Sequence, residues 1–264
     1  LPVYLLIRTS NRPIFFKNMM ESVRKQTYKN IITIVHSDNP RDSYAYGDIL
    51  IHGKKIETSG SAPYNLYCNT LLKSIPDTDG YYMFLDDDDI FFDNTVIERF
   101  VKACNPDCIN ICHVMRWNFE IFPKRWKDPQ FGAQTECFML HTKHKNLAQW
   151  WDNKGGDYDY SRKIQAFLPS NFIDTIISCK PQEGKGNGKC NDLGRNAPER
   201  PGNICFQDVL IEFIKEIKTP KALRGKVGDV RTMQRMRAER LEAKGKVRII
   251  SEVNNGTESA NFEV

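Results

Sequence analysis

The sequence predicts an α/β fold in which a mostly parallel sheet is flanked by helices, and three observations support this. Apolar strands over 3–7 and 31–35 enclose a helical stretch over 14–26, and a strand–helix–strand unit with short connections makes parallel neighbours. Both strands are continuously apolar, as strands covered on both faces usually are. A later apolar strand over 81–85 leads directly into four consecutive aspartates. The aspartates therefore lie at the carboxyl end of that strand. In open α/β sheets, ligands bind at the edge formed by the carboxyl ends of the strands.

The first half of the chain alternates strands and helices in order. Pro13 is placed for the first turn of the helix over 14–26, and Pro63 for that of a helix over 62–74. A short strand is predicted over 48–51. The first helix has apolar residues at helical spacing, namely Phe15, Met19, Met20 and Val23.

The next stretch continues the sheet with less regular spacing. A helix is predicted over 94–103, followed by strands over 109–115 and 136–141 that run apolar or alternate, which is compatible with antiparallel pairing. A further helix opens at the glycine pair 155–156 and extends to about 167. A strand over 172–178 follows it.

The remaining chain is predicted to be a loop followed by helices. Residues 180–203 form a long loop with five glycines and three prolines. An amphipathic helix is predicted over 206–217 and a second over 229–243, before a disordered tail from 254. The predicted domains are therefore a catalytic α/β domain over 1–214 and a basic helical extension with a flexible tail over 215–264.

Charge is distributed unevenly between these domains. Residues 1–214 carry 26 Lys and Arg against 26 Asp and Glu, whereas residues 215–264 carry 12 against 7. The basic region permits three hypotheses: binding to an anionic membrane surface that presents a lipid-linked acceptor, binding to modified DNA, or packing against the core or a second subunit of a homo-oligomer. Met233, Met236 and Leu241 form an apolar stripe that favours packing.

The chain has eight cysteines, whose spacing bears on whether the protein resides in a reducing or an oxidising compartment. Cys104, Cys108 and Cys112 lack the paired Cys-x2-Cys spacing of zinc sites, so buried free thiols in a reducing compartment are expected. No stretch approaches the roughly 18–20 apolar residues needed to span a bilayer. Residues 1–7 resemble a core strand rather than a secretion leader. The expected location is the cytoplasm, with peripheral membrane association as the alternative.

The aspartates Asp86, Asp87, Asp88 and Asp89 form the main candidate site. Four adjacent like charges repel one another unless a cation lies between them, and a divalent ion shared with substrate phosphates would serve. The competing interpretation is a solvated acidic turn, or a helix N-cap provided by Asp93 or Asn94.

Acidic residues at two further places in the sequence fall on the same predicted sheet edge. Asp38 follows the second strand and could accept hydrogen bonds from a base or ribose, while Asp157 and Asp159 open a late helix. A carboxylate there could deprotonate an acceptor hydroxyl, while a metal at the aspartate cluster neutralises a departing diphosphate. This inventory suits displacement at a sugar carbon, without a serine or cysteine nucleophile.

Taken in order, these motifs resemble the family 2 glycosyltransferases, over residues 3–165. The resemblance is carried by Arg8-Thr9-Ser10-Asn11-Arg12-Pro13, by Glu21-Ser22-Val23 with Gln26-Thr27-Tyr28-Lys29-Asn30, by Val35 to Asp38, by Asn69, by Phe84-Leu85 with the four aspartates, and by Gly156-Asp157-Tyr158-Asp159.

The resemblance implies a GT-A fold and inversion at the anomeric carbon. It also implies a nucleotide-diphospho-sugar donor, most often a uridine one, and Mn²⁺ or Mg²⁺. By position, Thr9 and Asp38 would contact the nucleoside, and Asp86 would reach the ribose or the metal. Asp88 would bind the metal, while Asp87 could share these roles because four aspartates leave the register open.

Two assignments stay open. Asp157 would be the general base, but Gly156 replaces the family's usual Glu, and Asp159 is a competing candidate. Arg8 or Arg12 would contact the diphosphate, or lie on the surface.

Two other functional classes compete with the transferase. A metal-dependent phosphohydrolase or nuclease could use an aspartate-rich strand end with two metals. A non-catalytic nucleotide-sugar-binding module would bind donor without turnover. Neither accounts for Thr9, Asp38 and Asp157 together.

Overall fold

A computed structural model describes residues 1–116, 121–123 and 135–180, together with three strands at 208–213, 230–234 and 247–252. The chain divides into two compact units, Leu1–Ala197 and Pro198–Val264. The candidate site lies in the first unit.

The first unit is built on one nine-stranded sheet. Its strands are β1 (Val3–Thr9), β2 (Ile31–Ser37), β3 (Ile49–His52), β4 (Tyr81–Asp86), β5 (Ile90–Phe91), β6 (Ile109–Met115), β7 (Ile121–Phe122), β8 (Phe138–His141) and β9 (Ser170–Cys179). Their order is β3-β2-β1-β4-β8-β6-β9-β5, with β7 paired to β6.

Within the described part of this unit, four α-helices accompany these strands: α1 (Pro13–Arg24), α2 (Leu66–Lys73), α3 (Val96–Ala103) and α4 (Gly156–Gln165). Pro13 is the first residue of α1, and Pro63 opens the 3₁₀ turn that leads into α2. Both prolines therefore mark helix starts, as the sequence predicts, because a first-turn residue needs no backbone N–H partner.

The predicted α/β class is confirmed, and the parallel part of the sheet is its first half. Strands β3, β2, β1 and β4 run parallel to one another. Farther along, β8 runs antiparallel to both β4 and β6, while β9 is parallel to β6. In the parallel half, Arg8 of β1 pairs in register with Asp86 of β4, and Thr9 with Ser37 of β2. The carboxyl ends of the three strands therefore meet at one edge.

An aromatic cluster fixes α4 against β4. The hydroxyls of Tyr82 and Tyr160 are hydrogen-bonded at 3.0 Å, and both side chains are fully buried. Tyr160 stacks on Trp150 with ring centroids 4.8 Å apart, and Phe84 packs edge-on against Trp150 at 5.0 Å. This packing fixes the start of α4 relative to the end of β4.

The second unit contains a three-stranded antiparallel sheet in the order β11-β10-β12, formed by β10 (Asp208–Phe213), β11 (Val230–Gln234) and β12 (Val247–Glu252). The sequence predicts helices over 206–217 and 229–243, but the structure has the strands β10 and β11 within these ranges. The prediction of a helical extension is therefore wrong at these positions. Cross-strand pairing, such as Val209 with Met233 and Glu252, determines the outcome there. Short apolar runs do not distinguish strand from helix by periodicity alone.

β10 also lies before the predicted boundary at 214, although it pairs with strands of the second unit. Among the residues that the structure describes, no helix is long and apolar enough to cross a membrane.

Candidate functional site

The candidate site is a network of charged side chains at the carboxyl ends of β1 and β4. Arg8 at the end of β1 donates from Nε and Nη2 to Asp86 Oδ1 at 3.2 and 3.1 Å. Its Nη1 donates to Asn65 Oδ1 at 2.9 Å, and its guanidinium lies 5.1 Å from the ring centroid of Tyr64. Arg8 thus has structural partners within the site.

Thr9 and Arg12 both bind Asp87. The Thr9 hydroxyl donates to Asp87 Oδ2 at 2.7 Å, and Arg12 Nη1 lies 2.6 Å from Asp87 Oδ1. The structure therefore brings these three predicted residues together. Because both Asp87 oxygens accept hydrogen bonds, Asp87 positions Thr9 and Arg12 at this edge.

Asp88 lies between two cations. Arg12 Nη2 is 2.9 Å from Asp88 Oδ2, and Lys180 Nζ is 3.2 Å from Asp88 Oδ1. Burial alone would raise the pKa of Asp88, but Lys180 and Arg12 outweigh it and hold the pKa below its usual range.

Lys180 immediately follows β9 and was not singled out by the sequence. Its Nζ also lies 3.2 Å from Asp89 Oδ2. Burial opposes its positive charge, yet the surrounding carboxylates, Asp88 and Asp89 foremost, raise its pKa well above the usual range. The pairing of β9 with β5, in which Cys179 lies opposite Ile90, brings residue 180 to the aspartates, so no local signal could have identified it.

Glu136 is the second residue that the sequence did not indicate. It lies in a 3₁₀ turn, Thr135–Cys137, just before β8, and is 2% exposed. Burial, reinforced by the neighbouring charge of Asp89, raises its pKa well above the usual range. Residue 136 is predicted as the start of a strand, and β8 in fact begins at Phe138.

One group of side chains could hold a metal ion. Among the described residues, the only cluster of three or more His, Cys, Asp or Glu with suitably convergent atoms is Asp86, Asp89 and Glu136, whose ligand atoms lie within 4.8 Å of one another. All-carboxylate sites suit hard cations such as Mg²⁺ and Mn²⁺. Cys108 and Cys112 are buried free cysteines, and Cys104 is a partly buried one.

Asp157 and Asp159 lie in the first turn of α4 but have different surroundings. Asp157 Oδ1 accepts the backbone N–H of Tyr158 at 2.9 Å. Burial raises the pKa of Asp157, and the charge of Asp86 adds to the shift. Asp159 Oδ2 instead accepts from Asn153 Nδ2 at 2.5 Å. Asp157 is therefore close enough to the aspartate cluster for the charge of Asp86 to shift its pKa.

Gly156 permits a close approach between α4 and the Arg8 network. A Cβ at this position would lie 2.5 Å from Asn65 Nδ2. Asn65 bridges Arg8 and the backbone carbonyl of Asn153, to which it donates at 2.9 Å. A larger residue at 156 would therefore displace Asn65, which gives a steric reason why glycine stands where the resembling family has Glu.

Asp38 lies apart from this network. It directly follows β2 and is half-buried, and its negative charge contributes to raising the pKa of Tyr67, which burial raises most. Its Oδ1 atom is buried and has no hydrogen-bond partner among the described residues. The fully engaged acid nearby is Asp42, which accepts from the backbone N–H of Asn11 at 3.1 Å and from Ser37 Oγ at 2.8 Å. The sequence did not single out Asp42.

Solved structures similar to this chain identify its fold. No protein-family model and no curated protein matches the sequence. The structure of TarS from S. aureus matches 69% of the chain with a TM-score of 0.55 at 13% identity, and the chain spans 37% of that protein. TarS 1–349 in complex with UDP-GlcNAc matches 72% with a TM-score of 0.53 at 14% identity, and the chain spans 61% of it.

A further structure of TarS 1–349, in complex with UDP, matches 68% of the chain with a TM-score of 0.52 at 13% identity, and the chain spans 60% of it. At such low sequence identity, the similarity between this chain and the TarS structures shows a shared fold and nothing further. The predicted GT-A fold is confirmed.

Proposed function

We propose that this protein is a glycosyltransferase that moves a sugar from a nucleotide-diphospho-sugar to an acceptor hydroxyl with inversion at the anomeric carbon. The observation that carries the proposal is the network linking Arg8, Thr9 and Arg12 to Asp86, Asp87 and Asp88 at the carboxyl edge of a GT-A sheet. Asp157, at the start of α4, is close enough to this network for the charge of Asp86 to contribute to raising its pKa.

The donor is proposed to lie along this edge. Thr9 and Asp38 contact the nucleoside, and the buried unpartnered Oδ1 of Asp38 supports a role in accepting a hydrogen bond. Asp86 and Asp87 face the ribose, while Arg12 faces the diphosphate. A uridine nucleotide is the favoured donor, since the similar TarS structures contain UDP and UDP-GlcNAc.

The carboxylates at the site fit a divalent cation. The family resemblance would make Asp86 and Asp88 its ligands, and the convergence of Asp86 with two further carboxylates, Asp89 and Glu136, supports Mn²⁺ or Mg²⁺ at this edge. When bound, such an ion would neutralise charge on the nucleoside diphosphate as it departs.

Asp157 is proposed as the general base. Its carboxylate takes the proton of the acceptor hydroxyl, and the oxygen attacks the anomeric carbon from the face opposite the diphosphate. The bond from that carbon to the phosphate oxygen breaks, and its electron pair leaves with the nucleoside diphosphate. The raised pKa of Asp157 makes it a stronger proton acceptor than an ordinary aspartate. Asp159, which is bonded to Asn153, is the alternative.

The acceptor is proposed to be a glycan or a lipid-linked hydroxyl, with modified DNA as a further candidate. The basic region 215–264 would attract an anionic membrane surface or nucleic acid. A cytoplasmic location, with peripheral membrane association or self-association through this region, is part of the same proposal.

The test is a calorimetric panel of UDP, GDP, dTDP and ADP, each with and without Mn²⁺. Wild type and Arg12→Gln are compared, with Arg99→Gln as the matched control because Arg99 pairs with Asp93 away from the site. We expect one nucleotide to bind the wild type and the control, and to bind Arg12→Gln roughly tenfold or more weakly, since a charge-assisted contact is lost.

A protein that binds none of these nucleotides under either metal condition would contradict the proposal. Release of phosphate from simple phosphoesters would then indicate a phosphohydrolase. Nucleotide binding without any sugar release from the matching donor would indicate a non-catalytic binding module.

A further inference from the structure

Asp88, to which the family resemblance assigns the metal, already has a cation on each oxygen. Arg12 Nη2 lies 2.9 Å from its Oδ2, and Lys180 Nζ lies 3.2 Å from its Oδ1. A divalent ion that took Asp88 as its principal ligand would have to displace one of these partners.

Glu136 presents the opposite situation. Its side chain is 2% exposed, and among the described residues its Oε1 atom has no hydrogen-bond partner. Leaving a buried carboxylate oxygen unpaired is costly, so such an atom calls for a ligand. Glu136 points into the acidic cluster, where one of its oxygens lies close to an oxygen of Asp89.

The geometry around Glu136 suits one small cation. One oxygen each of Glu136, Asp86 and Asp89 lies within 4.8 Å of the others. The backbone turn that joins the two aspartates, closed by Asp89 N–H donating to Asp86 O at 3.0 Å, brings their side chains together. The Asp86 side chain is 22% exposed, which leaves a side of the cluster open to water or a phosphate oxygen.

The charge balance agrees with this geometry. Within the described part of the chain, the connected network holds five carboxylates and three cations, namely Asp86, Asp87, Asp88, Asp89 and Glu136 against Arg8, Arg12 and Lys180. The carboxylates therefore outnumber the cations, and a divalent ion would offset the cost of burying them in their ionised forms. Buried charges require such compensation, because desolvation makes unpaired ones expensive.

We infer that Glu136, Asp86 and Asp89 form the divalent-cation site of this protein, with Mg²⁺ or Mn²⁺ as the ion. Asp88 instead holds Arg12 and Lys180 in place beside it. This deepens the proposed function, and it rests on that function only for the statement that the ion meets the donor diphosphate.

The test is a Mn²⁺ titration without nucleotide, in which electron paramagnetic resonance measures the free ion. Glu136→Gln keeps the side-chain volume, and its amide can donate to Asp89, so the variant should fold. We expect it to bind Mn²⁺ roughly tenfold or more weakly than the wild type, because a ligand charge is lost. Asp88→Asn should lose less.

Glu98→Gln is the matched control, since Glu98 is on α3 and pairs with Lys102 away from the site. It should bind Mn²⁺ as the wild type does. The inference is overturned if Glu136→Gln binds within twofold of the wild type, or if Asp88→Asn loses more affinity than Glu136→Gln.

A second measurement uses the unaltered protein. Fe²⁺ with ascorbate and hydrogen peroxide cleaves backbone close to a bound ion, and mass spectrometry locates the cuts. We expect cuts near both 86–89 and 135–137, and Mn²⁺ should suppress them. Cuts confined to 86–89 would overturn the role of Glu136.

These results separate the inference from the proposed function. If the wild type binds a nucleoside diphosphate but no Mn²⁺, the cation site is refuted and the transferase proposal stands. If Mn²⁺ binds through Glu136 but no nucleotide binds, the cation site stands and the transferase proposal fails.

Discussion

Asp157 and Asp159 are two residues apart in one helical turn, yet they have different surroundings. Asp157 is coupled to Asp86 and Arg8, whereas Asp159 is bonded to Asn153. We expect Asp157→Asn to lower the rate of sugar release from the donor by roughly 10²- to 10⁴-fold, the usual contribution of a general base. Donor affinity should change little, because Asn keeps the shape of the side chain.

Asp159→Asn is the comparison for that experiment, with the rate and the donor affinity measured in parallel. A larger loss of rate in Asp159→Asn than in Asp157→Asn would reverse the assignment of the base.

The environment of Asp157 also predicts a pH dependence. Burial raises its pKa, and the charge of Asp86 adds to the shift. A base must be deprotonated to act, so activity is present above the raised pKa and falls as pH is lowered through it. We expect kcat/KM to decline at a higher pH than an ordinary aspartate would give. The measurement is a pH–rate profile with donor affinity followed over the same range, and a profile that stays flat to about pH 4 would contradict it.

Among single residues, the sequence predicted the members of the site that lie at strand ends, but it did not predict Glu136 and Lys180. Thr9, Arg12, Asp86, Asp87 and Asp88 belong to short motifs at strand ends, and the structure brings them into one network. Glu136 and Lys180 could not be predicted, because each reaches the cluster only through long-range strand pairing. No local pattern of residue types distinguishes them from surface charges.

Among the elements, the junction of β4 and α4 aligns the aspartate cluster with Asp157. The buried hydroxyls of Tyr82 and Tyr160 are bonded at 3.0 Å. Removing one hydroxyl leaves the other unsatisfied, so Tyr82→Phe and Tyr160→Phe should each lower the free energy of unfolding by about 1–3 kcal/mol. The double variant should cost less than the sum of the two, because no unpaired hydroxyl remains.

Urea denaturation of the four proteins measures this double-mutant cycle. Additive losses in the double variant would mean that the two hydroxyls do not depend on each other.

The sequence predicted elements well wherever a periodic pattern coincided with a start or stop signal. Pro13 and Pro63 marked helix starts, and the apolar runs of β1, β2 and β4 marked strands. It failed at β10, where the run 208–213 fits an amphipathic helix as well as a strand. Pairing with β11 and β12, which no local window contains, decides between them.

On the scale of the whole molecule, the site joins distant parts of the first unit. Its residues come from the ends of β1, β4 and β9, from the turn before β8 and from the start of α4, so the network spans positions 8 to 180. A ligand of this site binds the folded unit but not the unfolded chain, because the unfolded chain does not bring these residues together. Binding must therefore stabilise the unit as a whole.

We expect the nucleotide that binds in the calorimetric panel to raise the free energy of unfolding by about 2.7 kcal/mol when its concentration is 100 times its Kd. Urea denaturation followed by tryptophan fluorescence measures this, since Trp150 is buried in the cluster that joins α4 to β4. Arg12→Gln should gain much less at the same nucleotide concentration, and Arg99→Gln should gain as much as the wild type. A nucleotide that binds with a measurable Kd but leaves the midpoint of this transition unchanged would mean that the binding site lies outside the unit organised by β1, β4 and α4.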